Sequence, residues 1–251
     1  MRIAHLALFI VGYLGSLTLA WDNDCPVSGR RPTYAIGSNK IGIDLEIAYD
    51  LLCPDSAAGH TVLMQWLNMT WNVTNTRVMD EISVAFSYMP LPWHNGVWVP
   101  HMLIPYFWDN CQYGGVSSPC QFMEYMQFAF DNQEWMSSAK NMSENEIVAK
   151  WTGQVAQKFN LNQTELIDLF NYLDDMKTRQ TVWRVILMYK YNAQRHVGST
   201  PTGRVNGVVI ENYPNSTDQW FDILNTVYQD QYRPPKAAGE VSKQQKLQWR
   251  N

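Results

Sequence analysis

Hydrophobic positions change their period at Cys53, so the first third of the chain divides into a strand and a helix. Before Cys53 the apolar residues Ile43, Leu45 and Ile47 alternate with polar or small neighbours, as in a β-strand. After it the apolar residues recur at helical spacing, at Val62, Leu63, Trp66 and Leu67. A second alternating run over residues 81–88 predicts another strand, and this order predicts a right-handed parallel βαβ unit.

Residues 93–195 carry a helical pattern. Residues 121–131 are rich in Phe, Tyr and Met, and Ser143 with Glu146 forms a capping-box sequence that opens a helix through residue 159. Two further helices are predicted, one opening at Asn162 and one over residues 178–193. A strand pair turning at Asn206-Gly207 and a helix over residues 218–228 follow. The order predicts an α/β domain over residues 40–232, with a helical insertion between its second and third strands.

The two ends of the chain have a different character. Residues 1–20 combine Arg2, an apolar run and small residues before a cleavage site, which is typical of a signal peptide. A retained signal anchor is the alternative, although the run is short for a membrane span. Residues 21–39 are predicted to be an extended lead-in, and residues 233–251 a mobile tail. No second apolar stretch reaches membrane length, so we expect no membrane span after signal removal.

Glycosylation sequons support a secretory route. Five Asn-X-Ser/Thr triplets occur behind the signal segment, at Asn68, Asn72, Asn141, Asn162 and Asn215. The chain is therefore predicted to be a secretory-pathway glycoprotein. The sequence leaves open whether it stays in the lumen of the endoplasmic reticulum, reaches a lysosome-like compartment or leaves the cell.

Composition and charge exclude some classes of protein. The 251 residues are 46% hydrophobic and 13% aromatic, which is enough for a substantial core. A formal net charge of −4 with scattered Lys and Arg argues against nucleic-acid binding. No CxxC or HxxxH spacing occurs, so no metal site is predicted. The oligomeric state is not indicated.

The sequence predicts a disulfide partner for only two of the four cysteines. Cys111 and Cys120 flank a loop rich in Gly, Ser and Pro that can bring both sulfurs together, and we predict a disulfide between them. Cys25 is free, pairs between molecules or pairs with Cys53. These alternatives stay open.

Cys53 is the residue with the clearest chemistry. It ends a strand, and Pro54 stands at the first helical position, where a missing N–H costs nothing. The free N–H groups of a helix start favour a thiolate, whereas the carboxylate of Asp55 opposes one. Ser56 occupies the place of a second cysteine, so it cannot resolve a mixed disulfide. Its hydroxyl is predicted to hydrogen-bond the Cys53 sulfur or to cap the helix.

Three segments together resemble a known superfamily. Cys53-Pro54-Asp55-Ser56, Thr200-Pro201 far downstream, and residues 205–221 resemble the DsbA-like branch of the thioredoxin superfamily. Residues 89–95, Met-Pro-Leu-Pro-Trp-His-Asn, resemble an element of an uncharacterised eukaryotic secreted group that also carries Cys-Pro-Asp-Ser. The resemblance spans most of the chain after residue 40. It implies a thioredoxin-like α/β fold with a DsbA-like helical insertion, and a cis peptide before Pro201. It also implies that Thr200 and Pro201 form the substrate edge.

Acidic and histidine residues could support the thiol. In the superfamily a buried acid beneath the active-site turn often relays protons, and Glu46 and Asp50 both precede Cys53. Glu46 lies seven positions before the cysteine, which departs from the spacing of bacterial relatives, and Asp50 could instead cap or pair within the turn. His94 could stabilise a thiolate, or be an ordinary packed or surface residue.

The leading functional hypothesis is monothiol thiol–disulfide exchange or isomerisation through Cys53, on protein thiols or disulfides of secretory-pathway clients. It needs no metal and no bound organic cofactor, although glutathione could serve as co-substrate. The alternative is a non-catalytic binding or chaperone-like protein on a redox fold that has lost its activity. A weaker alternative is a relative of kappa-type glutathione transferases, for which the sequence shows no glutathione pocket. The state of Cys53 distinguishes the first two hypotheses: a free thiol of low pKa supports exchange, whereas a disulfide with Cys25 or a buried neutral thiol supports the non-catalytic role.

Overall fold

The computed structural model describes residues 31–113, 120–170 and 176–232. The predicted signal peptide, Cys25 and the predicted tail over residues 233–251 lie outside these ranges. Every element below belongs to the unit Thr33–Asn251. In chain order the elements are β1 (Tyr34–Gly37), β2 (Asp44–Tyr49), α1 (Pro54–Leu67), β3 (Thr70–Trp71), β4 (Thr76–Arg77), a 3-10 turn (Val78–Asp80), β5 (Ser83–Tyr88), α2 (Trp98–Met102), α3 (Ile104–Tyr113), α4 (Phe122–Asp131), α5 (Gln133–Ser138), α6 (Glu144–Phe159), α7 (Gln163–Asp168), α8 (Met176–Gln194), β6 (Thr202–Val205), β7 (Val208–Val209) and α9 (Thr217–Tyr232).

The main sheet has the strand order β1-β5-β2-β6-β7. Strands β2 and β5 run parallel, with Asp44 opposite Ser83 and Tyr49 opposite Tyr88. Strand β6 is antiparallel to β2, and β7 is antiparallel to β6. The predicted parallel βαβ unit and the final strand pair are therefore confirmed.

Strand β1 lies within the segment 21–39, which the sequence predicts to be an extended lead-in. It runs antiparallel to β5, with Tyr34 opposite Phe86. The Tyr34 ring is buried and packs against the rings of Trp108 and Phe122, at centroid distances of 5.0 and 5.7 Å. Four residues are too few to show a period, so only these distant partners make the segment a strand.

Helices cover both faces of the sheet. On one face, Leu63 and Trp66 of α1 and Trp220 of α9 pack with alternate residues of β2. The indole rings of Trp66 and Trp220 stack at 5.2 Å. Of the predicted apolar positions on α1, Val62 is only partly buried. On the opposite face Ala48 packs with Met89, Leu91, Val197 and Tyr189. Strand β2 is therefore central and buried on both sides, and its end carries the candidate site.

Helices α2–α8 form the predicted insertion between β5 and β6. Its core is aromatic: the rings of Phe107 and Tyr125 stack at 4.2 Å, and the Trp151 indole N–H donates to the Tyr125 hydroxyl. The predicted capping box opens α6, since Ser143 and Glu146 satisfy each other's backbone N–H groups. None of the helices described is long and apolar enough to cross a membrane.

The predicted disulfide between Cys111 and Cys120 is present, with the two Cα atoms 4.4 Å apart. It joins the end of α3 to the residues just before α4. Because the loop between the sulfurs is short, the bond fixes two neighbouring helices of the insertion relative to each other.

Candidate functional site

Cys53 stands at the N-cap of α1, in extended backbone, with Pro54 as the first helical residue. Its N–H donates to the Asp50 carbonyl at 3.1 Å, and its carbonyl accepts the Ala57 N–H at 3.1 Å. The predicted strand, turn and helix are thus confirmed. The thiol is free and buried, with only 6% of the residue exposed.

The Thr200–Pro201 loop lies directly against this thiol. The peptide bond before Pro201 is cis, as the resemblance implies. The Cys53 Sγ donates to the Thr200 carbonyl oxygen at 3.2 Å. Gly59 permits the close approach of α1, since a Cβ there would lie 3.2 Å from the Pro201 ring and 2.7 Å from that of Tyr213.

Asp50 lies fully buried at the end of β2 and ties the thiol turn to the segment after β5. Its carboxylate accepts the backbone N–H of Leu52 at 2.8 Å and that of Leu91 at 3.0 Å. His94 Nδ1 lies 2.7 Å from the same carboxylate. Two of the predicted supporting residues, Asp50 and His94, are therefore in direct contact beneath the turn that carries Cys53.

His101 completes this cluster, and nothing in the sequence singled it out. Its Nε2 accepts the Leu51 N–H at 3.1 Å, and its Nδ1 donates to the Val97 carbonyl at 2.6 Å. An acceptor at one nitrogen and a donor at the other define the neutral imidazole. Complete burial lowers the pKa of His101, and the Asp50 carboxylate only partly offsets this effect. The residue is therefore a fixed, uncharged support.

Ser56 is fully buried below the thiol turn. Its hydroxyl oxygen accepts the Asp50 N–H at 3.4 Å. The Cys53 side chain makes no capping hydrogen bond to the first turn of α1. A hydrogen bond from Ser56 to the Cys53 sulfur therefore stays a prediction.

Glu46 does not join the Asp50 cluster. Glu46 lies within β2 and Asp50 just beyond its end, four positions further along, which corresponds to about 13 Å of extended chain. Arg195 Nη1 contacts its two carboxylate oxygens at 2.6 and 2.7 Å, and the Tyr191 hydroxyl donates at 3.0 Å. Arg204, its cross-strand neighbour, lies 3.9 Å away. Glu46 is thus placed in an ion-pair network beside α8.

Gln133, the first residue of α5, is another contact that the sequence did not indicate. Its Nε2 donates to the Leu51 carbonyl and to the Cys53 carbonyl, at 2.9 Å in each case. The insertion thereby reaches the turn that holds the thiol.

The surface next to this cluster is apolar and exposed. Pro92 and Trp93 project from the segment that Asp50 holds, and 65% of Trp93 is exposed. Trp98 is also exposed and lies 5.8 Å from the Tyr189 ring. In the part of the chain that the structure describes, no group of three His, Cys, Asp or Glu could hold a metal ion.

The five sequon asparagines, all of them on the surface, are Asn68, Asn72, Asn141, Asn162 and Asn215. Asn162 also caps α7, where its side-chain oxygen accepts the Thr164 N–H at 2.9 Å. Each site is accessible, and glycosylation itself stays a prediction.

Comparison with known proteins gives matches only among solved structures, since no family model and no curated protein matches the chain. Oxidised BdbD from Bacillus subtilis has a TM-score of 0.57 at 14% identity, covering 79% of this chain and 94% of that one. Alpha-DsbA1 from Wolbachia pipientis has a TM-score of 0.56 at 12% identity, covering 82% and 94%. A thioredoxin-like oxidoreductase from Silicibacter pomeroyi has a TM-score of 0.52 at 12% identity, covering 79% and 93%. At these identities the likeness shows the fold, which is thioredoxin-like with a DsbA-like helical insertion.

Proposed function

We propose that this chain is a monothiol thiol–disulfide exchange protein that acts through Cys53 on thiols or disulfides of client proteins. One observation carries the proposal: a free thiol at the start of α1 lies 3.2 Å from the carbonyl that precedes cis-Pro201. The fold supports it, because one of the similar structures is a thioredoxin-like oxidoreductase.

The chemistry is an exchange without net oxidation or reduction. The Cys53 sulfur, once it has lost its proton, attacks one sulfur of a client disulfide, so that the client S–S bond breaks and a mixed disulfide forms. The departing client sulfur takes up a proton. Another client thiolate then attacks the mixed disulfide, forms a new client disulfide and restores Cys53. Ser56 has no thiol and cannot attack the mixed disulfide. The attacking thiol must therefore come from the client itself or from a small thiol such as glutathione.

An extended client segment would lie along Thr200 and Pro201, next to the thiol. The exposed indole of Trp93 and the neighbouring Pro92 offer apolar surface on the segment that Asp50 holds. Asp50 and His94 would hold the turn beneath the thiol. The exchange requires no metal and no bound organic cofactor.

A secretory location is part of the proposal. The signal-like residues 1–20 and the exposed sequon asparagines support it. Client cysteines in such compartments form disulfides, which an exchange protein needs as substrates.

The test is capture of a mixed disulfide by the mature protein. A peptide disulfide is added, and adducts are mapped by mass spectrometry under acid quench. We expect an adduct on Cys53 that C53S lacks and S56A retains. No adduct, together with alkylation no faster than that of an unstructured cysteine, would refute exchange.

A second function, non-catalytic binding, is favoured by one specific observation. The thiol is 6% exposed and its proton is donated to the Thr200 carbonyl, which is how a structural cysteine behaves. Under this alternative C53S binds the same partners as the wild-type protein. The glutathione transferase alternative has no such supporting contact.

A further inference from the structure

Gln133 uses both protons of its side-chain amide on the turn that carries the thiol. The Nε2 atom lies 2.9 Å from the Leu51 carbonyl and 2.9 Å from the Cys53 carbonyl. An amide NH2 group has two donors, so the side chain spans the two acceptors as a bridge. The residue is 80 positions from Cys53 in the sequence and belongs to the insertion.

The remaining contacts of Cys53 come from other parts of the fold. Its N–H is held by Asp50, its carbonyl also accepts the Ala57 N–H, and its sulfur contacts Thr200. Gln133 therefore adds the helical insertion to the segments that determine where this thiol stands.

We propose that Gln133 is a positioning residue for Cys53, and that the insertion acts on thiol reactivity through its amide. This inference rests on the proposed exchange function. Stabilisation of an anion at a helix start fades within the first turn, so it depends on the exact placement of the sulfur. The two N–H groups also bring positive dipole ends to the peptide groups around Cys53. A residue that only fastened α5 would change the stability of the fold and leave thiol chemistry in the folded protein unchanged.

The chain supplies a matched control at Gln163. Its Nε2 donates to the Ala149 carbonyl at 2.9 Å. Like Gln133, it therefore attaches its helix to another segment through a main-chain acceptor. It belongs to α7 and is not among the contacts of the thiol turn. The variants to compare are Q133L, Q133E and Q163E, each checked by thermal melting.

The readouts are the rate of Cys53 alkylation by a small reagent and the ultraviolet absorbance of the thiolate, with C53S as the blank. We expect Q133L to lower the rate of Cys53 alkylation about tenfold, because both hydrogen bonds that hold the thiol turn from the insertion are lost. The thiolate absorbance at neutral pH should fall with it. Q163E should match the wild-type protein in both readouts.

Q133E adds a signature that a structural role lacks. An ionised carboxylate cannot donate to the two carbonyls, whereas a protonated carboxyl can donate to one of them. The ratio of the Q133E rate to the wild-type rate should therefore rise as the pH is lowered. The other ionisable groups near the thiol turn, Asp50, Asp55, His94 and His101, are present in both proteins, so the ratio reports the change at position 133.

Two outcomes would overturn the positioning role. One is a Q133L protein that is folded and reacts within about twofold of the wild-type rate or faster, since one hydrogen bond is worth about that much or more. The other is a Q163E protein that changes as much as Q133E does. If the proposed exchange function is wrong, wild-type Cys53 forms no mixed disulfide. The ratio of the Q133L to the wild-type alkylation rate still tests whether Gln133 positions Cys53.

Discussion

His60 makes the stability of this fold sensitive to acid. It lies on α1, 1% exposed, with its ring 5.1 Å from Phe130 and 5.5 Å from Tyr49. Within the described part of the chain its Nδ1 has no hydrogen-bond partner. Burial lowers the pKa of His60 from 6.5 to about 4, because the charged imidazolium would lose its hydration among these rings.

The size of the effect follows from the two protonation equilibria. Between pH 6.5 and 4 the unfolded chain binds a proton at His60 that the folded chain does not, so the unfolded state gains stability as the pH falls. The resulting loss of folding free energy is about 2 kcal/mol at about pH 5 and about 3 kcal/mol at about pH 4. Above about pH 7 His60 does not make the free energy of unfolding depend on pH.

The assay is urea unfolding of wild-type protein and H60F over a series of pH values. Phenylalanine keeps an aromatic ring in the site and cannot take a proton, so H60F should lack this loss. Its larger ring adds a packing cost that does not depend on pH and shifts the whole curve. H60L, which has a different packing cost, should show the same reduced slope.

Parallel curves for wild-type protein and H60F between about pH 7 and 4 would refute the reasoning. His101, whose pKa burial also lowers, is present in both proteins, so its contribution cancels in the difference.

The remaining predictions concern the thiol turn and the disulfide. D50A should lower the free energy of urea unfolding by about 3 kcal/mol, because two buried N–H groups lose their acceptor; a loss below about 1 kcal/mol would contradict that account of Asp50. S56C should form an internal disulfide with Cys53 and reduce insulin in the presence of a small dithiol, and an S56C protein without turnover would show that the missing cysteine is not what limits the site. Replacing Cys111 and Cys120 by serine should cost about 2–3 kcal/mol under non-reducing conditions, because the short loop gains entropy in the unfolded state, whereas unchanged denaturation would rule out this role.

Much of the fold was predictable because its signals are local. The change of period at Cys53 and the proline that follows it determine a strand, a turn and a helix within a few residues. Ser143 and Glu146 open α6 by bonds that close over three residues. Gly207 and Asn206 both take positive φ, which the tight turn between β6 and β7 requires.

The resemblance supplied what local signals could not, since it paired Cys53 with Thr200 and Pro201 across 147 residues of sequence. No period or propensity links positions that far apart. The cis peptide before Pro201 was expected on the same basis, and it is present.

Only the tertiary structure decided which polar residues support the thiol. Both Asp50 and Glu46 are acids that precede Cys53, so the sequence does not distinguish them. In the structure Asp50 receives one N–H group from the turn after β2, and a second N–H group and His94 from the segment after β5. Glu46 instead pairs with Arg195, which follows α8. Gln133 belongs to a polar stretch without a motif, and its role depends on where the insertion packs. The physical reason is that a buried polar group is defined by its partners, and here those partners come from elements far away in the chain.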